Sequence, residues 1–174
     1  MIYVVRHGQT DWNLEGRYAG QIDVKLNEEG IHQAKKIRDD LKMIKFDKVF
    51  SSPLNRAYKT AKIISGNDIV IDNRLIERNN GTLQGKLKTE FIQPIDFNNP
   101  NENCYGVEPI LDFRQRIFDF LDYVTKNYHN QNILIVTHAG VAIYIRCYFE
   151  GEPIDGDYSK YKLKNCEVLK YDNN

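Results

Sequence analysis

The sequence has no excess of charge of either sign, no paired cysteines and no long hydrophobic run. Among its 174 residues, 24 Lys and Arg are balanced by 24 Asp and Glu, so the formal net charge is zero with His neutral. Proteins that bind nucleic acids usually carry a basic excess, so this balance gives no support to a nucleic-acid or membrane-surface partner. Any binding of an anion must therefore depend on the local placement of a few arginines.

The cysteines and the apolar residues exclude further classes. Cys104, Cys147 and Cys166 stand in unrelated contexts without a Cys-x-x-Cys pair, which argues against a disulfide framework and for a reducing compartment. The stretch before the first charge, at Arg6, is too short for a signal-peptide core, and no run approaches the roughly 20 apolar residues of a transmembrane helix. We therefore expect a soluble, cytoplasmic protein. The sequence does not indicate an oligomeric state.

What the sequence does contain is an alternation of short β-branched runs with amphipathic stretches. Four runs are typical of buried strands, and a fifth alternates more and predicts an edge or antiparallel strand. They are residues 2–5, 48–51, 68–71, 133–137 and 166–171. Strands that alternate with helices predict an α/β fold with a mostly parallel sheet covered on both faces. The length suits a single domain over residues 1–174.

Helices are expected between these strands. Asn27 can cap one that starts with two glutamates, and Ser52 with Pro53 can start another at its first helical position. Residues 111–125 and 139–149 carry the apolar spacing of two more. Residues 91–106 are rich in proline and asparagine, which predicts a loop or a lid and not a second domain.

Three predicted strand ends carry Arg or His next to a small residue. Arg6 and His7 follow the first strand, Arg56 lies in the first turns of the helix after the second, and His138 follows the fourth. Taken singly, such an arginine is more often a surface charge and such a histidine a structural residue. The coincidence of three favours a site for a phosphoryl group, because ligands of parallel sheets bind beyond the carboxyl ends of the strands and helix N-termini favour phosphate.

Two further expectations follow from Arg6 and His7. Adjacent residues of an ideal strand point to opposite faces, so the strand must end or twist by His7 if both side chains reach one phosphate. The neighbouring cation should also disfavour protonation of the imidazole, as a nucleophilic histidine requires. Gly8 and Gly140 should let the backbone approach a ligand closely.

Together these motifs resemble the histidine phosphatase superfamily, in its phosphoglycerate-mutase-like branch. The matching residues are Arg6-His7-Gly8-Gln9-Thr10 with Trp12-Asn13, Leu26-Asn27 with Gly30 and Gln33-Ala34, Ser51-Ser52-Pro53-Leu54 with Arg56-Ala57 and Thr60-Ala61, Glu77, and Thr137-His138-Ala139-Gly140-Val141. They occur in the family's order, which makes the match far more specific than a lone short motif. The resemblance implies a three-layer α/β/α sandwich with a mostly parallel mixed sheet.

The resemblance also implies a reaction and a role for each matched residue. His7 would be the nucleophile that becomes a phosphohistidine, and Glu77 would be the general acid and then the base. Arg6, Arg56 and His138 would hold the phosphoryl oxygens, with Asn13 and Gly140 as further phosphate contacts. The expected activity is hydrolysis of a small phosphomonoester, with no metal and no cofactor. Without the family resemblance, Glu77 would be interpreted as an exposed carboxylate in a loop.

The chain departs from its relatives on the side of the leaving group. Small phosphatases of the family often have Trp-Glu where this chain has Leu83-Gln84, and a serine where it has Pro109. The spacing of Glu108 and Arg116 is retained. These changes leave the phosphoryl chemistry intact and leave the substrate open.

Three alternatives remain at this stage. A phosphoglycerate-type mutase shares the motifs, but relatives of that kind usually have longer insertions and tails that shield the phosphohistidine. A catalytically weak phosphate-binding sensor domain would not need every predicted catalytic residue. A metal enzyme could use His7, His138 and Glu77 as ligands, but Arg6 and Arg56 at the same place would repel a divalent cation.

Overall fold

A five-stranded mixed sheet forms the centre of the computed structural model, which describes residues 1–66, 68–90 and 104–173. The strands are β1 (Ile2–Arg6), β2 (Lys48–Ser51), β3 (Val70–Ile71), β4 (Ile133–Thr137) and β5 (Val168–Tyr171). Their order across the sheet is β3-β2-β4-β1-β5. All neighbours are parallel except β5, which pairs antiparallel with β1 at the edge of the sheet. The expected antiparallel edge strand is confirmed.

Five α-helices accompany this sheet in the described part of the chain. They are α1 (Asp11–Glu15), α2 (Glu28–Asp40), α3 (Asn55–Ser65), α4 (Ile110–Asn127) and α5 (Ala139–Glu150). Short 3₁₀ turns, including Cys104–Gly106, join some of them. The expected lid at 91–106 otherwise lies outside the described residues. None of the described helices is long and apolar enough to cross a membrane.

Both faces of the sheet are covered, which explains why its central strands are continuously apolar. Tyr3 and Val5 pack in a cluster with residues of α3, whereas Ile2 and Val4 pack in another with residues of α4 and α5. Alternate side chains of β4 divide between the same two clusters. Because successive strand residues face opposite sides, burial of both faces requires every position to be apolar. The α/β/α sandwich is thus confirmed.

The start of α3 differs from the expectation. We expected Ser52 to cap this helix and Pro53 to be its first residue, but the helix begins at Asn55 after Leu54. The hydroxyl of Ser52 lies 2.6 Å from Nε2 of His138, so it makes its contact with the residue that follows β4 and does not cap α3. The backbone N–H of Asn55 donates to the Asp23 carboxylate at 2.7 Å, which satisfies a free N–H group of the helix terminus from another loop. By contrast, Asn27 caps α2 as expected, accepting from the N–H of Gly30.

Candidate active site

The carboxyl ends of three neighbouring strands bring the Arg and His residues together. β2, β4 and β1 lie side by side, with Ser51 opposite Val136 and Arg6 opposite Thr137. β1 ends at Arg6, and the His7 N–H donates to the Thr137 carbonyl at 2.9 Å. The expectation that the strand ends by His7 is therefore confirmed.

A cleft of about 310 Å³ opens at these strand ends. Five of the predicted site residues line it, namely Arg6, His7, Asn13, Arg56 and Glu77. His138 is completely buried behind the cleft wall, which is formed there by Ala139. Gly140 lines a second cleft of about 230 Å³, which shares Glu77 with the first. The structure thus collects the predicted residues around Glu77 and His7.

The ring of His7 has one defined tautomer when it is neutral. Its Nδ1 lies 2.7 Å from the carbonyl oxygen of Gly8, and a carbonyl can only accept, so Nδ1 carries the hydrogen. The lone pair is then on Nε2. Burial, followed by the positive charges of Arg56 and Arg6, lowers the pKa of His7 well below its usual range. The arginines act in the expected direction, although burial is the larger cause.

His138 lies directly against His7. The two ring centroids are 5.2 Å apart, and the His138 Nε2 is 2.6 Å from the Ser52 hydroxyl. Burial and the charge of Arg56 also lower the pKa of His138 well below its usual range. Its buried Nδ1 has no hydrogen-bond partner in the described part of the chain. His138 is therefore a neutral ring at the N-terminus of α5, next to the nucleophile candidate.

Backbone carbonyls hold the two arginines, of which Arg56 is buried and Arg6 is half-buried. Arg56 is 1% exposed and donates to the carbonyls of Gly20 at 2.7 Å and Ile22 at 2.8 Å, while Arg6 donates to that of Leu163 at 2.7 Å. Within the described residues, neither has a carboxylate within 4.0 Å, and the Nε of each is buried without a partner. Buried charge of this kind is costly unless an anion compensates it. The cleft therefore favours an anion.

Asn13 lines the same cleft. Its Oδ1 accepts from the N–H of Thr10 at 3.1 Å and from the amide of Asn165 at 3.2 Å. These two donors define which end of the amide is oxygen. Within the described residues the NH₂ group of Asn13 has no hydrogen-bond acceptor, so it can donate to a ligand.

Glu77 is fixed by two backbone N–H groups. Arg78 donates to its Oε1 at 2.9 Å and Gly140 to its Oε2 at 3.1 Å. A Cβ at position 140 would lie 2.5 Å from the Glu77 Oε1, so a larger residue would displace the carboxylate. In this structure Gly140 contacts Glu77, and Gly8 allows the backbone of Gly30 to approach, since a Cβ there would lie 2.4 Å from its carbonyl oxygen.

A charged pair supports the loop that carries Glu77. Arg116 binds both carboxylate oxygens of Glu108, at 2.8 and 3.0 Å, which is the bidentate geometry of strong pairs. Arg116 also donates to the carbonyls of Arg74 and Glu77. This ion pair explains why the sequence retains the spacing of eight residues between Glu108 and Arg116. Pro109 is the N-cap residue of α4 and makes no side-chain hydrogen bond there.

Several residues at the site were not predicted. Asn165 donates to the carbonyl of His7 at 2.9 Å, and Lys88 and Lys162 line both clefts. Gln84 accepts from the N–H of Gln21 at 2.7 Å, and Gln21 donates to the Glu77 carbonyl at 3.0 Å. Gln84 therefore supports the turn whose Gly20 carbonyl accepts from Arg56. No local sequence pattern marks Asn165, Lys88, Lys162 or Gln21, because each reaches the site through tertiary contacts; Gln84 stands out only as a departure from the family pattern.

The depressed pKa values of His7 and His138 predict a loss of stability in mild acid. The unfolded chain binds protons near pH 6.5 that the folded chain does not, so the free energy of unfolding should fall as the pH decreases from about 7 to about 5. The limiting slope is about 1.4 kcal/mol per pH unit for each ring. Urea unfolding in phosphate-free buffer measures it, and His7→Gln should remove about half of the slope. A flat profile above pH 5.5 would contradict buried, neutral rings.

Comparisons with known proteins agree with the geometry of the site. The family model of the histidine phosphatase superfamily (branch 1) matches residues 2–173. Phosphoserine phosphatase 1 of Hydrogenobacter thermophilus is 31% identical over 180 residues, which cover 98% of this chain and 83% of that protein. The probable phosphoglycerate mutase GpmB of Erwinia tasmaniensis is 30% identical over 181 residues, covering 98% and 84%.

A solved structure shows the same architecture. The phosphoserine phosphatase of Entamoeba histolytica, crystallised with 3-phosphoglyceric acid, superposes with a TM-score of 0.80 at 27% identity. The alignment covers 96% of this chain and 87% of that one.

Proposed function

The chain belongs to the histidine phosphatase superfamily and is a phosphatase of small phosphorylated metabolites; we propose that it works without a metal ion, through a phosphohistidine on His7. The observation that carries this proposal is the tautomer of His7, which leaves a nucleophilic Nε2 in a cleft that also contains Arg6 and Arg56. The low pKa of the ring supplies the neutral form that nucleophilic attack needs.

In the first step, Nε2 of His7 attacks the phosphorus atom as the bond from phosphorus to the ester oxygen breaks. Glu77, as the carboxylic acid, gives its proton to the departing alkoxide, so the alcohol leaves neutral. Arg6, Arg56 and Asn13 donate to the oxygens of the transferring group, where negative charge is spread. His138 completes this set from the buried side.

In the second step, water attacks the phosphohistidine and Glu77, now a carboxylate, takes the proton from that water. The bond between phosphorus and Nε2 breaks, inorganic phosphate forms and the neutral ring of His7 is restored. The N–H of Gly140 donates to Oε2 of Glu77 and so orients its carboxyl group during this cycle. We also propose that residues 1–174 act as one catalytic domain in the cytoplasm, as the length and the cysteine pattern suggest.

Metal independence predicts that activity survives a chelator. Arg6 and Arg56 would repel a divalent cation at the phosphoryl site, and the described residues contain no group of three or more His, Cys, Asp or Glu able to hold a metal ion. Phosphate release from a panel of small phosphomonoesters, phosphoserine included, should be unchanged within about twofold in excess EDTA. A loss that added Mg²⁺, Mn²⁺ or Zn²⁺ restores would overturn metal independence.

A phosphomutase is the second candidate, favoured by the similarity to the probable mutase of Erwinia tasmaniensis. The two activities differ in what accepts the phosphoryl group from His7, water or a second hydroxyl. Incubation of the enzyme with a bisphosphorylated primer and a labelled phosphoglycerate separates them. Release of inorganic phosphate without exchange of label supports the phosphatase, and exchange that outpaces release supports the mutase.

A further inference from the structure

The start of α2 contains three of the motif residues to which the proposed mechanism gives no role. They are Asn27, Gly30 and Gln33, which follow one another at intervals of three residues. Residues three apart are neighbours on the surface of a helix, so all three can contact the same group. That group is Gln9, two residues after the proposed nucleophile.

These contacts hold Gln9 by its backbone and by its side chain. Its N–H donates to the Gln33 Oε1 at 3.0 Å. Its carbonyl accepts from the N–H of Asn27 at 3.1 Å, and its own Oε1 accepts from the Asn27 amide at 3.1 Å. A Cβ at position 30 would lie 2.7 Å from the Gln9 nitrogen, so Gly30 allows the helix to approach this closely. The backbone of Gln9 is thus fixed against α2.

The peptide group between Gly8 and Gln9 connects α2 to the ring of His7. Its carbonyl oxygen, from Gly8, lies 2.7 Å from Nδ1 of His7. Its N–H, from Gln9, is the group that donates to Gln33. In a planar trans peptide the C=O and N–H bonds point in opposite directions. Gln33 therefore fixes the direction of the carbonyl that holds the His7 ring, from the opposite side of the same peptide group.

The contact with Gln33 is the one that acts on this peptide group. Within the described residues, Gln33 is the only acceptor for the N–H of Gln9. The N–H of Gly8 donates to the Thr60 hydroxyl at 3.1 Å, but it belongs to the preceding peptide group. Because Gly8 has no side chain to restrict its backbone rotation, its carbonyl can turn away from the ring once Gln33 no longer holds the other side.

The amide of Gln33 is itself oriented by a charged neighbour. Its Nε2 donates to the Oε1 of Glu29 at 3.1 Å, one turn earlier in α2. A carboxylate can only accept and the N–H of Gln9 can only donate, so both contacts agree on which end of the amide is oxygen. Three hydrogen bonds thus run in one direction from His7 through the peptide group and Gln33 to Glu29. Hydrogen bonds in such a chain polarise and strengthen one another.

We propose that Gln33 is a positioning residue for the nucleophile: it holds the Gly8 carbonyl against Nδ1 of His7 and so keeps the lone pair on Nε2. This rests on the proposed function and adds to it a residue that lines neither cleft. The partner of one ring nitrogen decides which tautomer a neutral histidine adopts. Without the carbonyl, the hydrogen can move to Nε2, where it prevents attack on phosphorus.

Replacement of Gln33 by methionine tests the proposal, since methionine is similar in length but is only a weak acceptor. We expect the single-turnover rate with p-nitrophenyl phosphate, which reports attack by Nε2, to fall at least about tenfold, as for outer partners of metal-binding histidines. The Kd of inorganic phosphate should stay within about twofold, because Arg6 and Arg56 are unchanged. Gln115→Met is the control and should change neither quantity. Gln115 also donates to a carboxylate four residues away on its helix, that of Asp119, but lies outside both clefts.

A double variant, Glu29→Gln with Gln33→Glu, keeps the contact with its donor and acceptor exchanged. The carboxylate at position 33 still accepts from the N–H of Gln9, and the amide at position 29 supplies the donor. We expect this variant to recover a rate within about threefold of wild type. Recovery would assign the effect to the acceptor at position 33 and not to the loss of glutamine as such.

Nitrogen-15 NMR of the histidine rings reports the tautomer of His7 in the resting protein, without any reaction. The chain has four histidines, and the His7→Ala variant identifies the signals of this one. Wild type and the double variant should carry the ring hydrogen on Nδ1. In Gln33→Met, Nε2 should carry it in a substantial fraction of the molecules.

The two measurements separate failure of the proposal from failure of the proposed function. An unchanged His7 spectrum in Gln33→Met would overturn the proposal even if the rate fell, because Gln33 would then only support the fold. A changed spectrum with an unchanged rate would also overturn it, provided that His7→Ala is inactive. If His7→Ala still released p-nitrophenol, the proposed function would fail, whereas the spectrum would still show whether Gln33 holds the ring.

Discussion

Replacement of His7 by alanine is expected to abolish phosphate release while the fold is retained. The variant loses the atom that forms the bond to phosphorus, and the loss of a nucleophile reduces kcat by about 10⁴-fold or more. The structural cost is small, because the only hydrogen bond of the His7 ring in the described part of the chain is to the carbonyl of the adjacent Gly8. Steady-state assays on the best substrate of the panel measure the loss.

The control for this variant is His129→Ala, which removes an exposed imidazole outside the clefts. It should retain full activity, and both variants should keep the circular dichroism spectrum of wild type. If His7→Ala retained more than about a tenth of the wild-type rate, His7 would not be the nucleophile. Direct attack of water on the substrate would then explain the activity better.

Replacement of Glu77 by glutamine is expected to have the second largest effect, and the effect should depend on the leaving group. Glutamine keeps the size of the side chain but cannot transfer a proton, and it can accept only one of the two N–H groups, from Arg78 and Gly140, that fix the carboxylate. We expect a loss of about 10²–10⁴-fold with an alkyl phosphomonoester. With p-nitrophenyl phosphate, whose phenolate leaves without a proton, the loss of phosphoryl transfer to His7 should be below about tenfold.

Pre-steady-state bursts isolate that first step from the later attack of water, for which Glu77 is also needed. Glu28→Gln, at an exposed carboxylate in the first turn of α2, is the control and should leave both substrates unaffected. Equal losses of burst rate with the two substrates would show that Glu77 only shapes the site. The proton donor would then have to be another group.

Much of the fold could be predicted from the sequence because its central strands are apolar at every position and can be buried only inside a sheet that is covered on both faces. The unbroken apolar runs of β1 and β4 need cover on both faces, and a strand that alternates, like β5, suits an edge. The start of α3 could not be predicted, because Ser52 is equally suited to cap a helix and to contact a histidine. Which of these two contacts Ser52 makes depends on the position of His138, which is 86 residues away in the chain.

The candidate site also contains residues whose position could be predicted from the sequence and residues whose position could not. Arg6 is the last residue of β1, and His7, Arg56 and His138 follow the ends of strands, so the parallel sheet alone brings them together. The position of Glu77 depends on the N–H of Gly140 and on the pair of Arg116 with Glu108, contacts that no local pattern contains. Asn165 and Lys162 reach the site only because the segment before β5 is bonded to the end of β1. The sequence thus predicts the phosphoryl chemistry better than it predicts the substrate.

The most direct test of the central claim is to trap the enzyme during turnover and locate the phosphoryl group. Wild type is mixed with a ³²P-labelled phosphomonoester, quenched in alkali to preserve a phosphohistidine, and digested for peptide mapping. We expect acid-labile, base-stable label on Nε2 of His7, and none in the His7→Ala protein. Turnover without covalent label, or label on another residue, would contradict it.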